Sequence, residues 1–380
     1  MMEKLLLIPG PSPVHPRIIR GLAQPTVSHV GPEMIEEFPR ALANLKKIVF
    51  CERGEAFAVA GAGTLAMEMA LLNTVDRGEK VLVLSQGYFG NRLAEICAAF
   101  GFDHDVIAGQ PGAAVLPERL QKAAGSGDYA VVAATHVDTQ TGVCAPVREY
   151  AEVLKGKGAT FIVDGVCATG GVEERMDDWG IDVTLTAAQK CLGAPPGLAI
   201  LVLSERAIDK RRSLGAVPAY YSDLLRWLPI MKDPTRYFST PCVNEIRALA
   251  EGTVIVLEEG LERRFLRHAR QARAVRAALK ELGFGYFTRE SALAETLSVV
   301  NYPPGLDDKK FRGLLYENGV VVAGGLGDMA GRVFRLGHMG NLSAAQILFA
   351  LGALEKTLSA LGRTFEPGAG VSAAKAILGG

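Results

Sequence analysis

Phe161-Ile162-Val163-Asp164 opens the stretch FIVDGVCATGG, which runs to Gly171 and decides the fold. Three bulky apolar residues leading straight to an acid read as a strand buried on both faces, with its carboxylate at the C-terminal end. Such strands belong to sheets covered by helices, and in open α/β sheets ligands bind outside that end. Downstream, TLTAAQKCLGAPPG (Thr184 to Gly197) sets Lys190 between a strand-like IDVTLTA and the turn Gly193-Ala194-Pro195-Pro196-Gly197. A lysine held at a strand end near a buried acid suits pyridoxal phosphate. That cofactor needs a lysine amine for its Schiff base and an aspartate to keep its ring nitrogen protonated. The pair alone is equally compatible with a turn-capping Asp164 and a surface Lys190.

Outward from these segments, strand and helix signals alternate from about Phe57 to Ser204. Strands are expected at Ala56–Val59, Lys80–Ser85, Tyr129–Thr135, Thr160–Asp164, Ile181–Thr186 and Leu198–Leu203, and helices at Thr64–Val75, Asn91–Phe100 and Pro146–Lys155. Crossovers of this kind imply a mostly parallel sheet with helices on both faces. From Val243 to about Leu282 the pattern reads as continuously helical, long enough to bridge two domains. Beyond it come short strands at Leu297–Tyr302, Val320–Ala323 and Arg332–Gly337, with helices at Asp307–Asn318 and Ser343–Leu361, a smaller α/β unit. The expected division is an N-terminal arm (1–14), a large domain (15–258), a small C-terminal domain (259–366) and a loosely attached Gly/Ala-rich tail (367–380).

Composition narrows the function. Forty-one basic and 41 acidic residues cancel, so no bulk field favours nucleic acid or an anionic membrane. The Arg-rich LERRFLRHARQARAVR (Leu261 to Arg276) repeats its apolar residues every three or four positions. Its arginines are therefore expected on the wet face of an amphipathic helix. No apolar run reaches the roughly 18 residues of a membrane helix. The six cysteines lack any C-x-x-C spacing, so neither a disulfide framework nor a metal site is expected. A cytoplasmic setting follows as an expectation, and the terminal Ile377-Leu378-Gly379-Gly380 carries no peroxisomal tripeptide.

Several further segments sit where chemistry is expected. Ala60-Gly61-Ala62-Gly63-Thr64 joins a strand to a helix and can aim backbone N–H groups at a phosphate. The next strand ends in Ser85-Gln86, with no carboxylate for a ribose, so phosphate without adenosine fits better. Gln86-Gly87-Tyr88-Phe89-Gly90 offers an aromatic for stacking, although a core aromatic explains it as well. His136-Val137-Asp138-Thr139-Gln140-Thr141-Gly142 closes another strand with polar side chains. In Arg332-Val333-Phe334-Arg335-Leu336-Gly337-His338-Met339-Gly340, alternation points Arg335 away from Phe334 and Leu336. An arginine so placed can grip a carboxylate or form an intradomain ion pair.

Together these segments resemble the class V, fold type I aminotransferases that depend on pyridoxal phosphate, notably the alanine–glyoxylate, serine–glyoxylate and serine–pyruvate group. The resemblance is carried, in family order, by LIPGPS at Leu7, AGAGTLAMEMALLN, QGYFGNR, THVDTQTG, VDGVCATGG, AAQKCLGAPPG and RLGHMGN. It implies a large domain with a seven-stranded, mostly parallel sheet plus a smaller C-terminal α/β domain. It implies Lys190 as the Schiff-base lysine and proton-transfer base, and Asp164 as partner of the pyridinium nitrogen. Phe89 would stack on the ring, Thr139 would bond near the ring hydroxyl, and Ala62, Gly63, Thr64 and Gln189 would hold the phosphate. Arg335 would bind the substrate carboxylate, with the backbone around Gly10 closing over it. Tyr237 and Thr240 would reach the phosphate of a neighbouring subunit, which implies a homodimer. The substrates implied are a small amino acid (alanine or serine) and a small 2-oxo acid (glyoxylate or pyruvate), exchanged by ping-pong kinetics. Ureidoglycine–glyoxylate, aminoethylphosphonate or desulfurase-type relatives are the alternatives. Gln189 stands where desulfurases usually carry His, and no cysteine lies beyond Cys242.

Overall fold

A computed structural model describes residues 4–379; residues 1–3 of the expected arm and Gly380 of the expected tail lie outside them. Thirteen strands are present among the described residues: β1 (Leu5–Leu6), β2 (Glu55–Ala60), β3 (Lys80–Ser85), β4 (Asp103–Ala108), β5 (Val131–Thr135), β6 (Thr160–Asp164), β7 (Val183–Ala187), β8 (Leu198–Leu203), β9 (Gly285–Tyr286), β10 (Leu297–Asn301), β11 (Val320–Val321), β12 (Ala323–Gly324) and β13 (Val333–Gly337). Seven of them form one sheet in the order β2-β8-β7-β6-β5-β3-β4. Only β8 runs against its neighbours, pairing antiparallel with both β2 and β7; the remaining pairs are parallel. This is the mixed, mostly parallel α/β fold of the fold type I transferases. At its centre β5, β6 and β7 are buried at every residue. Side chains such as Phe161, Ile162 and Val163 each contribute about 1.5–3 kcal/mol by leaving water. Register aligns the C-terminal ends, with Thr135 opposite Asp164 and Asp164 opposite Leu185. The carboxylate is thereby fixed at the C-terminal end of the central strands, beside the turns that follow β5, β6 and β7.

The sequence pattern did not show β4. Its DHDVIA alternates on an edge that is mostly exposed, so it lacks the apolar run of the central strands. A second, antiparallel sheet follows in the order β12-β13-β10-β9. The chain start forms a third, two-stranded sheet at a distance in sequence: β1 pairs in parallel with β11, Leu5 opposite Val320.

The helical stretch expected to run unbroken from Val243 divides at Gly260 into Val243–Glu259 and Leu261–Glu281. Gly260 has φ +82°, a conformation other residues rarely adopt. Before it, Ile246, Leu249 and Val256 pack into the core of the large sheet. After it, Val275, Ala278 and Leu279 pack into a separate core with Phe311 and Phe334.

Two expectations are corrected here. Within the expected tail, residues 367–379 are not loosely attached. They contain the helix Ala369–Leu378, whose Ala374 is fully buried in the second core and whose Ile377 and Leu378 carbonyls accept from Arg270. Likewise, the arginines of Leu261–Arg276 are not all on a wet face. Arg264, His268 and Gln271, spaced as one helical stripe, are buried.

Candidate active site

Strand ends and the turns after them assemble one polar centre. Asp164 closes β6 and is buried; its carboxylate accepts from the Val166 N–H at 3.0 Å and the Thr135 hydroxyl at 3.3 Å. No ion pair reaches it among the described residues. Burial, with the charges of Asp138 and Glu174 nearby, pushes its carboxyl up to about 7. A carboxylate so placed lacks a cationic partner and would be stabilised by one.

Lys190 follows β7 by one short turn. Its Nζ donates to the carbonyl of Pro9, and its own carbonyl accepts from the Ser12 hydroxyl at 2.7 Å. The Ser12 N–H donates to the Gln189 carbonyl at 2.9 Å. The arm is thus laid along the lysine. Gly10 makes this possible: it has φ +89°, and a Cβ there would stand 2.6 Å from both Lys190 Cε and Nζ. The side-chain oxygen of Gln189 is buried without a partner.

The glycine turn after β2 leads to the helix Gly63–Leu72, whose N-cap Ala62 has no side-chain oxygen to satisfy the first N–H groups. Those groups are free to receive an anion. The Thr64 hydroxyl, in the first turn, accepts from Arg92 at 3.1 Å. Arg92 lies 4.7 Å from the Phe89 ring centre and 5.0 Å from that of Tyr88. Phe89 is held by its N–H donating to Asp138 at 2.9 Å.

Asp138 organises the loop after β5. It also accepts from the N–H groups of Gln140 and Thr141 at 2.9 and 3.1 Å. Burial raises its carboxyl pKa, and those bonds oppose the rise. Next to it, the Thr139 hydroxyl lies 2.8 Å from Cys167 Sγ, in the turn after Asp164. The Thr139 carbonyl accepts from Arg335 Nη1 at 3.3 Å, and Arg335 Nε donates to Gly324 O at 2.8 Å. Arg335 sits on β13, 8% exposed, and pairs with no carboxylate among the described residues. Burial lowers its pKa, as expected of a guanidinium held out of water.

Contacts gather Thr64, Phe89, Thr139, Asp164 and Arg335 into one group, with Ala62 and Gly63 in the turn before Thr64, and Gly10, Gln189 and Lys190 into another; the Cys191 thiol, donating to the Cys167 carbonyl at 3.7 Å, bridges the two. Tyr237 and Thr240 are not joined to them among the described residues. Tyr237 is 68% exposed and its ring lies 5.7 Å from His29; Thr240 is exposed as well.

His136 proves to be a buried, paired histidine. Its Nδ1 lies 2.8 Å from Glu174 Oε1, and the Thr169 hydroxyl donates to the other carboxylate oxygen at 2.6 Å. Burial opposes its charging, but Cys144 and Glu174 outweigh burial and lift it to about 10. Asp138 and Arg92 are the site residues that sequence reasoning passed over. The spacing Asp138-x-x-Thr141, a carboxylate able to gather the next N–H groups, was the available signal.

No group of His, Cys, Asp and Glu that could hold a metal ion exists among the described residues. No described helix is long and apolar enough to cross a membrane.

Comparison with known proteins agrees with this geometry. The aminotransferase class-V family model matches residues 19–334. An uncharacterized aminotransferase of Methanocaldococcus jannaschii is 37% identical, covering 99% of this chain and 98% of its own length. Alanine–glyoxylate aminotransferase 1 of Saccharomyces cerevisiae is 33% identical over 88% of this chain and 91% of its own. The crystal structure of ureidoglycine–glyoxylate aminotransferase from Bacillus subtilis superposes with a TM-score of 0.94 at 28% identity, covering 100% of this chain and 99% of that one. The chain therefore belongs to the class-V aminotransferases, enzymes that depend on pyridoxal phosphate.

Proposed function

We propose that this enzyme moves the amino group of a small amino acid, alanine or serine, onto a small 2-oxo acid, glyoxylate or pyruvate, in two half-reactions. The observation that carries this reading is Arg335, a buried guanidinium beside Thr139 with no carboxylate of its own. A substrate α-carboxylate supplies the missing counter-ion through two parallel hydrogen bonds. An aminophosphonate donor would present a different anion. Glyoxylate is the acceptor named for both the yeast relative and the Bacillus structure, which supports it here.

The residues fit pyridoxal phosphate. Asp164 needs a cation, the N-terminus of Gly63–Leu72 needs an anion, and Gln189 has a buried oxygen to satisfy. The backbone of Ala62, Gly63 and Thr64, with Gln189, would hold the phosphate; Phe89 would cover the ring and Thr139 would lie near its hydroxyl. When bound, the cofactor supplies an electron sink for the pair released as an amino acid loses its Cα proton. Asp164 keeps a proton on the ring nitrogen. Lys190 Nζ takes the Cα proton as general base. Arg335 orients the substrate, and the arm at Gly10 covers Lys190 and limits water. In this reading Tyr237 and Thr240 act in trans across a homodimer, which accounts for their exposure in the single chain. Residues 15–258 then form the cofactor domain and 259–366 the small domain. Six unpaired cysteines suit the reducing cytoplasm.

An absorbance spectrum of the purified protein, repeated after L-alanine and then glyoxylate, tests the reading. A visible cofactor band that falls with alanine and returns with glyoxylate is expected. A band that ignores alanine and serine alike would overturn the substrate assignment.

A further inference from the structure

The helix Leu261–Glu281 carries an arginine that the chemistry above does not use. Arg264 is completely buried. Its Nε donates to the Gly170 carbonyl at 2.8 Å, and its Nη2 to the Cys191 carbonyl at 2.6 Å. These two acceptors belong to the turns that follow Asp164 and Lys190. The remaining guanidinium nitrogen, Nη1, donates to Glu259 at 2.6 Å, across the break at Gly260. Both Nη1 and Nη2 lie 3.3 Å from the Asn341 side-chain oxygen, in the turn beyond β13.

The surroundings hold this fork rigid. Glu259 is shared with Arg267, whose Nε donates to it at 2.5 Å and whose Nη2 donates to Gly340 O at 2.8 Å. His268, one helical turn on, places Nδ1 2.8 Å from the Arg264 carbonyl and accepts from the Gly340 N–H through Nε2 at 3.0 Å. One acceptor and one donor at the two ring nitrogens select the neutral imidazole with its proton on Nδ1. The neighbouring guanidinium charges therefore meet one carboxylate and no charged histidine. A planar guanidinium with donors at fixed angles can hold several carbonyls at once, which a lysine ammonium cannot do in the same geometry.

We propose that Arg264 is a positioning residue: by donating to Gly170 O and Cys191 O, it fixes the spacing of the turns behind Asp164 and Lys190 and so the distance between those two side chains. The inference rests on the reading that Asp164 and Lys190 flank the cofactor. It assigns to the Arg-rich helix a role as the internal splint of the site. Arg267, on the same helix and the same carboxylate, reaches the turn after β13 instead and serves as an internal control.

Arg264→Lys and Arg267→Lys would be compared in the full-length protein. The readouts are amide hydrogen exchange of the cofactor-free form and the Kd for pyridoxal phosphate from the visible band. For Arg264→Lys, faster exchange is expected in both 167–172 and 190–194, with Kd raised about tenfold or more, the equivalent of one charge-assisted hydrogen bond. For Arg267→Lys, both turns stay protected and Kd stays within about twofold, at a comparable loss of urea midpoint. Equal effects of the two variants on Kd, or unchanged exchange at the two turns with Arg264→Lys, would overturn the splint. Exchange that rises while Kd holds would overturn its link to the cofactor. The exchange readout needs no cofactor, so failure of wild-type protein to bind pyridoxal phosphate would instead count against the reading of Asp164 and Lys190.

Discussion

Arg335 gives the sharpest quantitative handle on the substrate. Replacing it with Met keeps a long side chain on β13 and removes both charge and fork. A hydrogen bond to a charged group contributes about 1.5–3 kcal/mol. Losing two parallel bonds to the carboxylate therefore costs about 3–6 kcal/mol, or roughly 10²- to 10⁴-fold in kcat/KM. Arg335→Lys keeps the charge and one bond and should lose about 10- to 100-fold. Among the described residues the Arg335 guanidinium hydrogen-bonds to the Gly324 and Thr139 carbonyls and not to Asp164 or Lys190, so neither change removes a bond to those two. The visible cofactor band should therefore stay. The assay is the single-turnover decay of that band with L-alanine, run in parallel with ethylamine, which lacks the carboxylate. Wild type should discriminate strongly between the two amines, and Arg335→Met should erase the discrimination by slowing only the amino acid. Equal slowing of both, or alanine kinetics within threefold of wild type, would refute the assignment and move the carboxylate site elsewhere.

Three other outcomes follow from the same geometry. Gly10→Ala would put a methyl group 2.6 Å from Lys190 Nζ at φ +89°; kcat should fall about 100-fold, and wild-type turnover would show that the arm does not lie on the lysine during catalysis. His338, which donates to Glu295 O and accepts from Ser298, is pushed by burial down to about 3. The unfolded chain takes up that proton near pH 6.5 while the native one refuses it, so this share of stability is present above about 6.5 and lost as pH falls towards 3, at up to about 1.4 kcal/mol per pH unit. His338→Gln should flatten the acid limb of urea-unfolding stability relative to wild type; parallel curves would contradict the shift. Finally, Lys190→Ala protomers mixed with Tyr237→Ala, Thr240→Ala protomers should regain activity through hybrid dimers, whereas no recovery despite proven subunit exchange would count against sites shared across the dimer.

The parts of the site that lie on single strands were legible in the sequence. FIVD announces a doubly buried strand with its acid at the end, and alternation places Arg335 opposite Phe334 and Leu336. The parts made by distant segments were not. Arg264 bonds carbonyls 94 and 73 residues away, and no local pattern distinguishes a buried arginine from a solvated one. Counting apolar residues along Leu261–Arg276 finds the amphipathic period but treats every arginine as wet, and so assigns Arg264 to the wrong side. His136 and Glu174 meet for the same reason, through a turn whose course depends on the tertiary fold. The break at Gly260 was obscured because good helix formers flank it on both sides.

The pairing of Leu5–Leu6 with Val320–Val321 has a consequence for biosynthesis. The segment that lies along Lys190 leaves the ribosome long before its partner strand, which emerges only after the whole large sheet has been made. The large sheet can fold while translation continues, but the arm has nowhere to dock until residue 321 is free. Completion of the catalytic centre is thus a high-contact-order event, closing one of the longest loops the chain contains. Ribosome-stalled chains ending before β11 should have a folded large sheet and an undocked arm, with Lys190 more reactive toward amine reagents than in the finished protein.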